Sequence, residues 1–293
     1  MYKFFGYRRP NGTVGIRNYV GVIPAINCLN KMAKIIENRV NDTISFCHIG
    51  RCDYLGSDRD TVMKTLIGLG KNPNLGAVIV LEVGCENTSG SKIASEIKKT
   101  GKQVVEINLN NENSFKEALN KSIKICNKLS KEISNYKRVE LDLSEMFLAI
   151  KCGGSDSTSG IIGNVITGEI ADLIINAHGT VIFTENVEII GAEHVLAKRA
   201  IDKKVAKRII DVAKTTEKIM KVMGVDIRGS EPTPANIKGG LTTIEEKSLG
   251  AIIKSGTQSI KDVIDWGQKP NEKGLRFSRC SDASFFNGRR TSS

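Results

Sequence analysis

Aromatic residues are scarce, 5% of 293 with a single tryptophan, and no Lys/Arg run is interleaved with Phe or Tyr. That argues against the stacking platforms that hold single-stranded nucleic acid. No apolar stretch reaches the roughly 20 residues that a membrane-spanning helix needs. The opening Met1-Tyr2-Lys3-Phe4-Phe5-Gly6 lacks the apolar stretch and small-residue cleavage site of a signal peptide, so a cytoplasmic protein without membrane attachment is expected. Neither G-x-G-x-x-G nor G-x-x-x-x-G-K-[ST] occurs, which removes the common nucleotide-binding loops. There is no C-x-x-C pair, and the seven cysteines (28, 47, 52, 85, 126, 152 and 280) are odd in number. A disulfide framework or structural zinc site is not expected; most of the thiols should be free and several simply buried.

What is present is ordinary globular composition, 40% hydrophobic and 26% charged, long enough for one large or two modest domains. Lys and Arg number 43 against 32 acidic residues, a net +11. That surplus is compatible with nucleic acid, an anionic surface or a small acidic substrate. No nucleic-acid-binding module accompanies it, so no nucleic-acid partner is expected. The lysines of 116–137 and 198–221 fall at helical spacings among apolar positions and read as solvated faces.

Short β-branched runs alternate with amphipathic stretches through the first half. Strands are expected at Tyr19–Pro24, Thr43–His48, Gly76–Val83 and Gln103–Asn108, with helices at about Cys28–Val40, Asp58–Leu69, up to Lys99, and Ser114–Glu132. The polar segment 134–143 marks a boundary. Beyond it come strands Met146–Ile150 and Thr180–Thr184, helices Gly191–Ala200 and Asp202–Met223, and a Pro/Gly/Asn-rich loop over Gly229–Gly240. The fold class is α/β: two units with mostly parallel sheets and helices on both faces. The expected divisions are 1–135, 136–275 and a tail of 276–293 that matches no recognised motif.

Chemically distinctive residues follow the strand ends, the edge where open α/β sheets bind ligands. They are Asn27-Cys28, Cys47-His48-Ile49-Gly50-Arg51-Cys52, Gly84-Cys85-Glu86-Asn87, Lys151-Cys152 through Gly160, and Glu185-Asn186-Val187-Glu188. Each has a plainer explanation. His48 and Cys52 lack a specific metal spacing, and a hydrogen-bonded buried histidine fits as well. Cys85-Glu86 either supplies a thiolate and carboxylate or ends a strand, with Asn87, Thr88 or Ser89 capping a helix. Gly153-Gly154-Ser155 permits close backbone approach to an anion, whereas Asp156 or Ser157 equally suits a helix cap. Glu185, Glu188, Glu193 and His194 suit metal ligation or acid/base work, or else a solvated helix face.

Taken in order, these motifs resemble the UxaA/GarD family of altronate and galactarate dehydratases. The resemblance rests on Gly6-Tyr7-Arg8-Arg9-Pro10-Asn11-Gly12, Gly15-Ile16-Arg17-Asn18-Tyr19, Ile23-Pro24…Asn27-Cys28, Thr65-Leu66-Ile67-Gly68…Asn72-Pro73-Asn74 and Gly84-Cys85-Glu86. Its most specific element is Cys152-Gly153-Gly154-Ser155-Asp156…Ser159-Gly160. Gly191-Ala192-Glu193-His194 and the stretch from Lys238 to Gly250 complete it. The family, which includes the large subunit of sulfolactate sulfo-lyase, implies loss of water or sulfite β to a carboxylate. It also implies a divalent cation, Fe2+ or Mn2+. The small SAF-like domain of longer members is missing here, which implies a split, oligomeric enzyme with that domain as a separate subunit. A truncated remnant that binds ligand or partner without turnover is the alternative.

Proton abstraction next to a carboxylate builds charge that a divalent cation stabilises. The expected metal ligands are His48, Cys85 and Cys152. Glu86, Glu185 and His194 are the acid/base candidates. Arg17 is expected to clamp the substrate carboxylate, alongside Asn18, Asn27, Gly153, Gly154, Ser155 and Asp156. The substrate is a small acid, a sugar acid or sulfolactate.

Overall fold

The computed structural model describes residues 2–265 and 268–279. Within them the chain is α/β and divides into two compact units, Phe4–Leu141 and the chain from Asp142 onward, the latter joined by the first residues. The first unit opens with β1 (Lys3–Arg8) and β2 (Val14–Gly15), an antiparallel pair in register Tyr7↔Gly15. There follow β3 (Tyr19–Pro24), α1 (Asn30–Arg39), β4 (Thr43–Ser45), α2 (Gly56–Lys71), β5 (Leu75–Glu82), α3 (Gly90–Lys98), β6 (Gln103–Asn108) and α4 (Phe115–Ile133). Strand β7 (Val139–Asp142) joins β1 in a three-stranded sheet of order β2-β1-β7.

The main sheet of this unit is parallel, in the order β4-β3-β5-β6. Strand β5 is buried from Leu75 to Leu81, as a continuous apolar run covered on both faces must be. Ala77, Ile79 and Leu81 pack with Met32, Ile36, Cys126 and Leu129 of α1 and α4. Val78 and Val80 pack with Val62, Leu66, Ile93 and Ile97 of α2 and α3 on the other face. Strand β4 stops at Ser45, short of the expected His48, because the chain turns to meet α1: the Asn30 amide donates to His48 O at 2.7 Å and accepts from His48 N.

The second unit contains β8 (Phe147–Ile150), a π-helical turn (Ser159–Gly163) leading into α5 (Asn164–Asn176), β9 (Thr180–Thr184), α6 (Glu193–Lys198) and α7 (Lys203–Val222). Then come α8 (Ile227–Ser230), α9 (Pro234–Lys238), α10 (Ile244–Ile252), a 3-10 turn (Ile253–Ser255), β10 (Ile260–Ile264) and β11 (Gly274–Ser278). Its sheet is parallel, in the order β10-β11-β9-β8. Asp202 and Thr243 cap α7 and α10 by accepting from Val205 N and Glu246 N.

The expected loop over Gly229–Gly240 carries helical turns instead. The α9 turn is nucleated by a capping box between Thr233 and Asn236 with Pro234 in its first turn. Residues 276–278, expected in the tail, belong to the sheet: Arg276 and Phe277 are buried in β11, and the Phe277 ring lies 5.1 Å from that of Phe183. Cys280 and the rest of the expected tail after Arg279 lie outside the described residues. The other six cysteines are free thiols. Among the described residues no helix is long and apolar enough to cross a membrane.

Candidate active site

In the second unit, adjacent parallel strands deliver the first two site residues together. Ile150 of β8 pairs with Phe183 of β9, so Cys152 and Glu185 leave the sheet side by side. The Cys152 amide donates to Glu185 Oε2 at 2.7 Å. Glu185 has φ +97°, a left-handed conformation that costs a non-glycine residue energy and is held here by the surrounding bonds. Three residues on, Glu188 sits in the 3-10 turn Val187–Ile189. Ligand atoms of Cys152, Glu185 and Glu188 all lie within 4.8 Å of one another.

Lys254 completes the cluster. It is 2% exposed, and its ammonium donates to Cys152 Sγ at 2.5 Å and to Glu185 Oε2 at 3.3 Å. The 3-10 turn that carries it follows α10 and abuts α5 at Gly168, where a Cβ would stand 2.4 Å from Ile253 O. Lys151 pairs with Glu185 Oε1 at 3.0 Å. Lys247 reaches Glu188 Oε1 at 3.7 Å and Glu231 at 2.6 Å.

The charges settle as follows. Burial, reinforced by Glu188 and Glu185 against the opposing pull of Lys254, pushes the Cys152 thiol up to about 12. Burial also opposes ionisation of Glu185, but Lys254, the Cys152 amide and Lys151 outweigh it and hold the carboxyl below its ordinary value. Burial works against the Lys254 ammonium as well, yet Cys152, Glu185 and Glu188 raise its pKa on balance. Without a bound cation the site holds a neutral thiol, an ionised Glu185 and a protonated Lys254.

A thiol sulfur and two carboxylates form a mixed soft and hard donor set suited to a first-row divalent cation. Glu188 Oε2 and Asn186 Oδ1, both acceptors on the β9 exit, are buried with no donor among the described residues. Buried acceptors left bare are costly, and a cation with its coordinated water supplies what they lack. The residues present therefore fit a divalent metal.

The rest of the Cys152 loop is braced by local hydrogen bonds. Asp156 Oδ1 accepts from Thr158 Oγ1, Ser159 N and Ser159 Oγ at 2.7–3.0 Å, which lowers the carboxyl's pKa and caps the following helix. Ser155 O accepts from Asn236 Nδ2, and Gly154 borders open space. Gly153 lies in the same loop, between Cys152 and Gly154. His194 is exposed on α6 and stands outside the Cys152–Glu185–Glu188 group.

In the first unit the strand exits are occupied differently. His48 is 4% exposed; Gly50 N donates to its Nδ1 at 3.0 Å, so its Nε2–H donates to Pro24 O at 2.8 Å. Both ring nitrogens have backbone partners, and burial lowers the pKa of this histidine. The Glu86 carboxylate accepts from Val83 N and Gly84 N at 3.1 and 2.7 Å and closes its own loop. Cys85 is exposed beside it. Asn27 N donates to Gly50 O at 3.0 Å, tying the β3 exit to the His48 loop. Arg17 and Asn18 precede β3 and so lie at the amino edge of the sheet, opposite these exits. There Asn18 bridges Arg9 and Ile133 O.

Lys254 was not singled out by the sequence, Lys247 only as part of the stretch from Lys238 to Gly250, and Glu188 only as one member of an acidic stretch. Nothing in their spacing separates two lysines from the many on helix faces. Burial at the β9 exit is what distinguishes them.

The family model for D-galactarate dehydratase/altronate hydrolase, second domain, matches residues 6–134, and that for D-galactarate/altronate dehydratase, C-terminal, matches 143–289. The chain is 37% identical to (2R)-sulfolactate sulfo-lyase subunit beta of Chromohalobacter salexigens, over 96% of this chain and 72% of that protein. It is 30% identical to altronate dehydratase of Bacillus subtilis, over 93% of this chain and 56% of the relative. It is 29% identical to galactarate dehydratase (L-threo-forming) of Escherichia coli, over 98% of this chain and 58% of the relative. The chain thus spans little more than half the length of the dehydratases it matches.

Proposed function

Because the chain belongs to the D-galactarate/altronate dehydratase family, we propose that it is a metal-dependent lyase. Its substrate is a small hydroxy acid, and the reaction expels a group β to the carboxylate. The single observation carrying this reading is the buried Cys152–Glu185–Glu188 group with Lys254 packed on it. Cys152, Glu185 and Glu188 would hold the cation, Fe2+ or Mn2+. Bound there, it would supply positive charge against the negative charge that builds on the substrate carboxylate as the α-proton leaves.

The chain's own groups divide the remaining work. Lys254, buried and protonated, adds a fixed positive charge where substrate charge develops, and burial strengthens its effect. Lys151 and Lys254 keep Glu185 ionised and oriented. Lys247 fixes Glu188 from one side and leaves its Oε2 free to bind. Gly153 and Gly154 leave room for a carboxylate to approach the backbone.

For the leaving group, water gives an altronate dehydratase-like reaction yielding a 2-keto-3-deoxy acid. Sulfite is the second reading, favoured by the higher identity and longer coverage of the sulfo-lyase subunit. Likeness to a sulfo-lyase subunit beta supports a partner subunit under the sulfite reading. The test is turnover of altronate, galactarate and (2R)-sulfolactate by the purified chain with Fe(II) or Mn(II), with and without that subunit. Elimination from any one, abolished by Glu188→Gln, supports the lyase reading. No turnover of all three under every condition favours a binding remnant and sinks it.

A further inference from the structure

The Phe4–Leu141 unit carries a second feature that the lyase reading does not use. At the amino edge of its sheet a cleft of about 450 Å³ is lined by Arg8, Arg9, Lys102, Tyr136, Gly76 and Gly101. Arg9 is 3% exposed and Lys102 6%, yet neither forms an ion pair with a carboxylate among the described residues. Arg9 donates from Nε to Pro73 O at 2.7 Å, from Nη1 to Asn18 Oδ1 at 2.9 Å and from Nη2 to Arg17 O at 3.0 Å. Lys102 donates to Gly70 O at 2.9 Å and Asn72 O at 2.5 Å. Every one of these acceptors is a neutral oxygen.

The arithmetic leaves charge over. Gly70 O and Asn72 O belong to the C-terminal end of α2, whose dipole offers about half a negative charge. Against it stand the Arg9 guanidinium and a Lys102 amine that is partly ionised near neutral pH. The contacts named use two of the three N–H groups of Lys102 and three of the five of Arg9. Burial first, and the nearby Arg9 second, pushes Lys102 down to about 7, the mark of a cation short of a counter-charge. Exposed Arg138 adds to the field: it and Arg9 flank the Tyr7 ring, each 5.4 Å from its centroid. Capping of α2 explains where Lys102 is anchored, and Pro73 O, Asn18 Oδ1 and Arg17 O anchor Arg9, but none of these neutral acceptors supplies a counter-charge.

We propose that this cleft binds a small oxyanion, a carboxylate or phosphate group, that completes the charge of Arg9 and Lys102 and is reached from solvent past Arg8 and Tyr136. The site is independent of the Cys152 cluster and stands or falls separately from the lyase reading.

The test is isothermal titration calorimetry of the whole chain with inorganic phosphate and, separately, with succinate, at ionic strength balanced by sodium chloride. Saturable one-site binding of at least one anion is expected. Phosphate alone identifies a phosphate-bearing ligand, and succinate alone a carboxylic acid. Lys102→Met should weaken binding about tenfold or more, the worth of a charged hydrogen bond. Arg8→Ala, at an exposed position, should weaken it several-fold with circular dichroism unchanged. If Lys102→Met does not fold, Arg8→Ala and Tyr136→Phe decide the matter. Binding of neither anion, or affinity unchanged in every folded variant, overturns the proposal.

Discussion

Both units place cysteine and carboxylate at the carboxyl edge of a parallel sheet, but they dispose of the polar atoms in opposite ways. In the first unit the side chains bond back onto the chain that carries them. Both His48 nitrogens, the Glu86 carboxylate and the Thr88 hydroxyl, which donates to Ala25 O, have backbone partners. In the second unit Cys152, Glu185 and Glu188 face one another across converging segments, a buried lysine leans on two of them, and acceptors remain bare. The difference teaches that residue type at a strand exit does not identify a site. What identifies it is whether local backbone has already consumed the donors and acceptors.

Lys254→Met should break the comparison hardest. Under the proposed lyase reading, removing this positive charge is expected to lower kcat by about 10²–10³-fold. Leaving Glu185 and Cys152 without it should also destabilise the fold by about 3–5 kcal/mol. Steady-state kinetics and urea melts read the two effects separately, and Lys254→Arg should recover more stability than activity.

His48→Ala sharpens the contrast from the other side. It leaves Gly50 N and Pro24 O buried without partners and should cost about 2–4 kcal/mol in a urea melt. Affinity for divalent metal, measured by competition with a chelator, should be unchanged. Asp156→Ala removes a cap and should cost about 1 kcal/mol, again without touching metal affinity. A tenfold loss in metal affinity for either variant would show that the two edges are not chemically separate.

A further effect concerns pH. Lys102, facing Arg9, Arg8 and Tyr136 in its cleft, titrates near 7 when folded and near its ordinary value when unfolded. Between those two values the unfolded chain binds more protons, so this residue's contribution makes stability rise with pH from about 7 upward. Urea midpoints taken from pH 6 to 9 should climb more steeply in the wild type than in Lys102→Met. Equal slopes would mean that Lys102 is not strained by its burial.

The sequence made the strands 19–24, 103–108 and 180–184 legible because each is an apolar or β-branched run closed by a turn residue. Strand β11 was not legible, since Arg276 interrupts it and a charged residue in a central strand reads as surface. The α8 and α9 turns are too short to show a period. In the site, Cys152 and Glu185 stood out because they follow strands in a glycine-rich or acidic setting. Lys254 did not, because its role arises only when α10 is packed on α5 and brings residue 254 to residue 152. The surroundings of His48 were not legible for the complementary reason: its partners are carbonyl and amide groups, which carry no sequence signature.

The proposed cation would be held by Cys152 with Glu185 and Glu188. The most direct measurement is the absorption spectrum of the cobalt(II)-loaded protein. A sulfur-to-cobalt charge-transfer band should appear in the wild type, persist in Cys85→Ser and His48→Gln, and vanish in Cys152→Ser. A band that survives Cys152→Ser, or one lost in Cys85→Ser, would contradict the account.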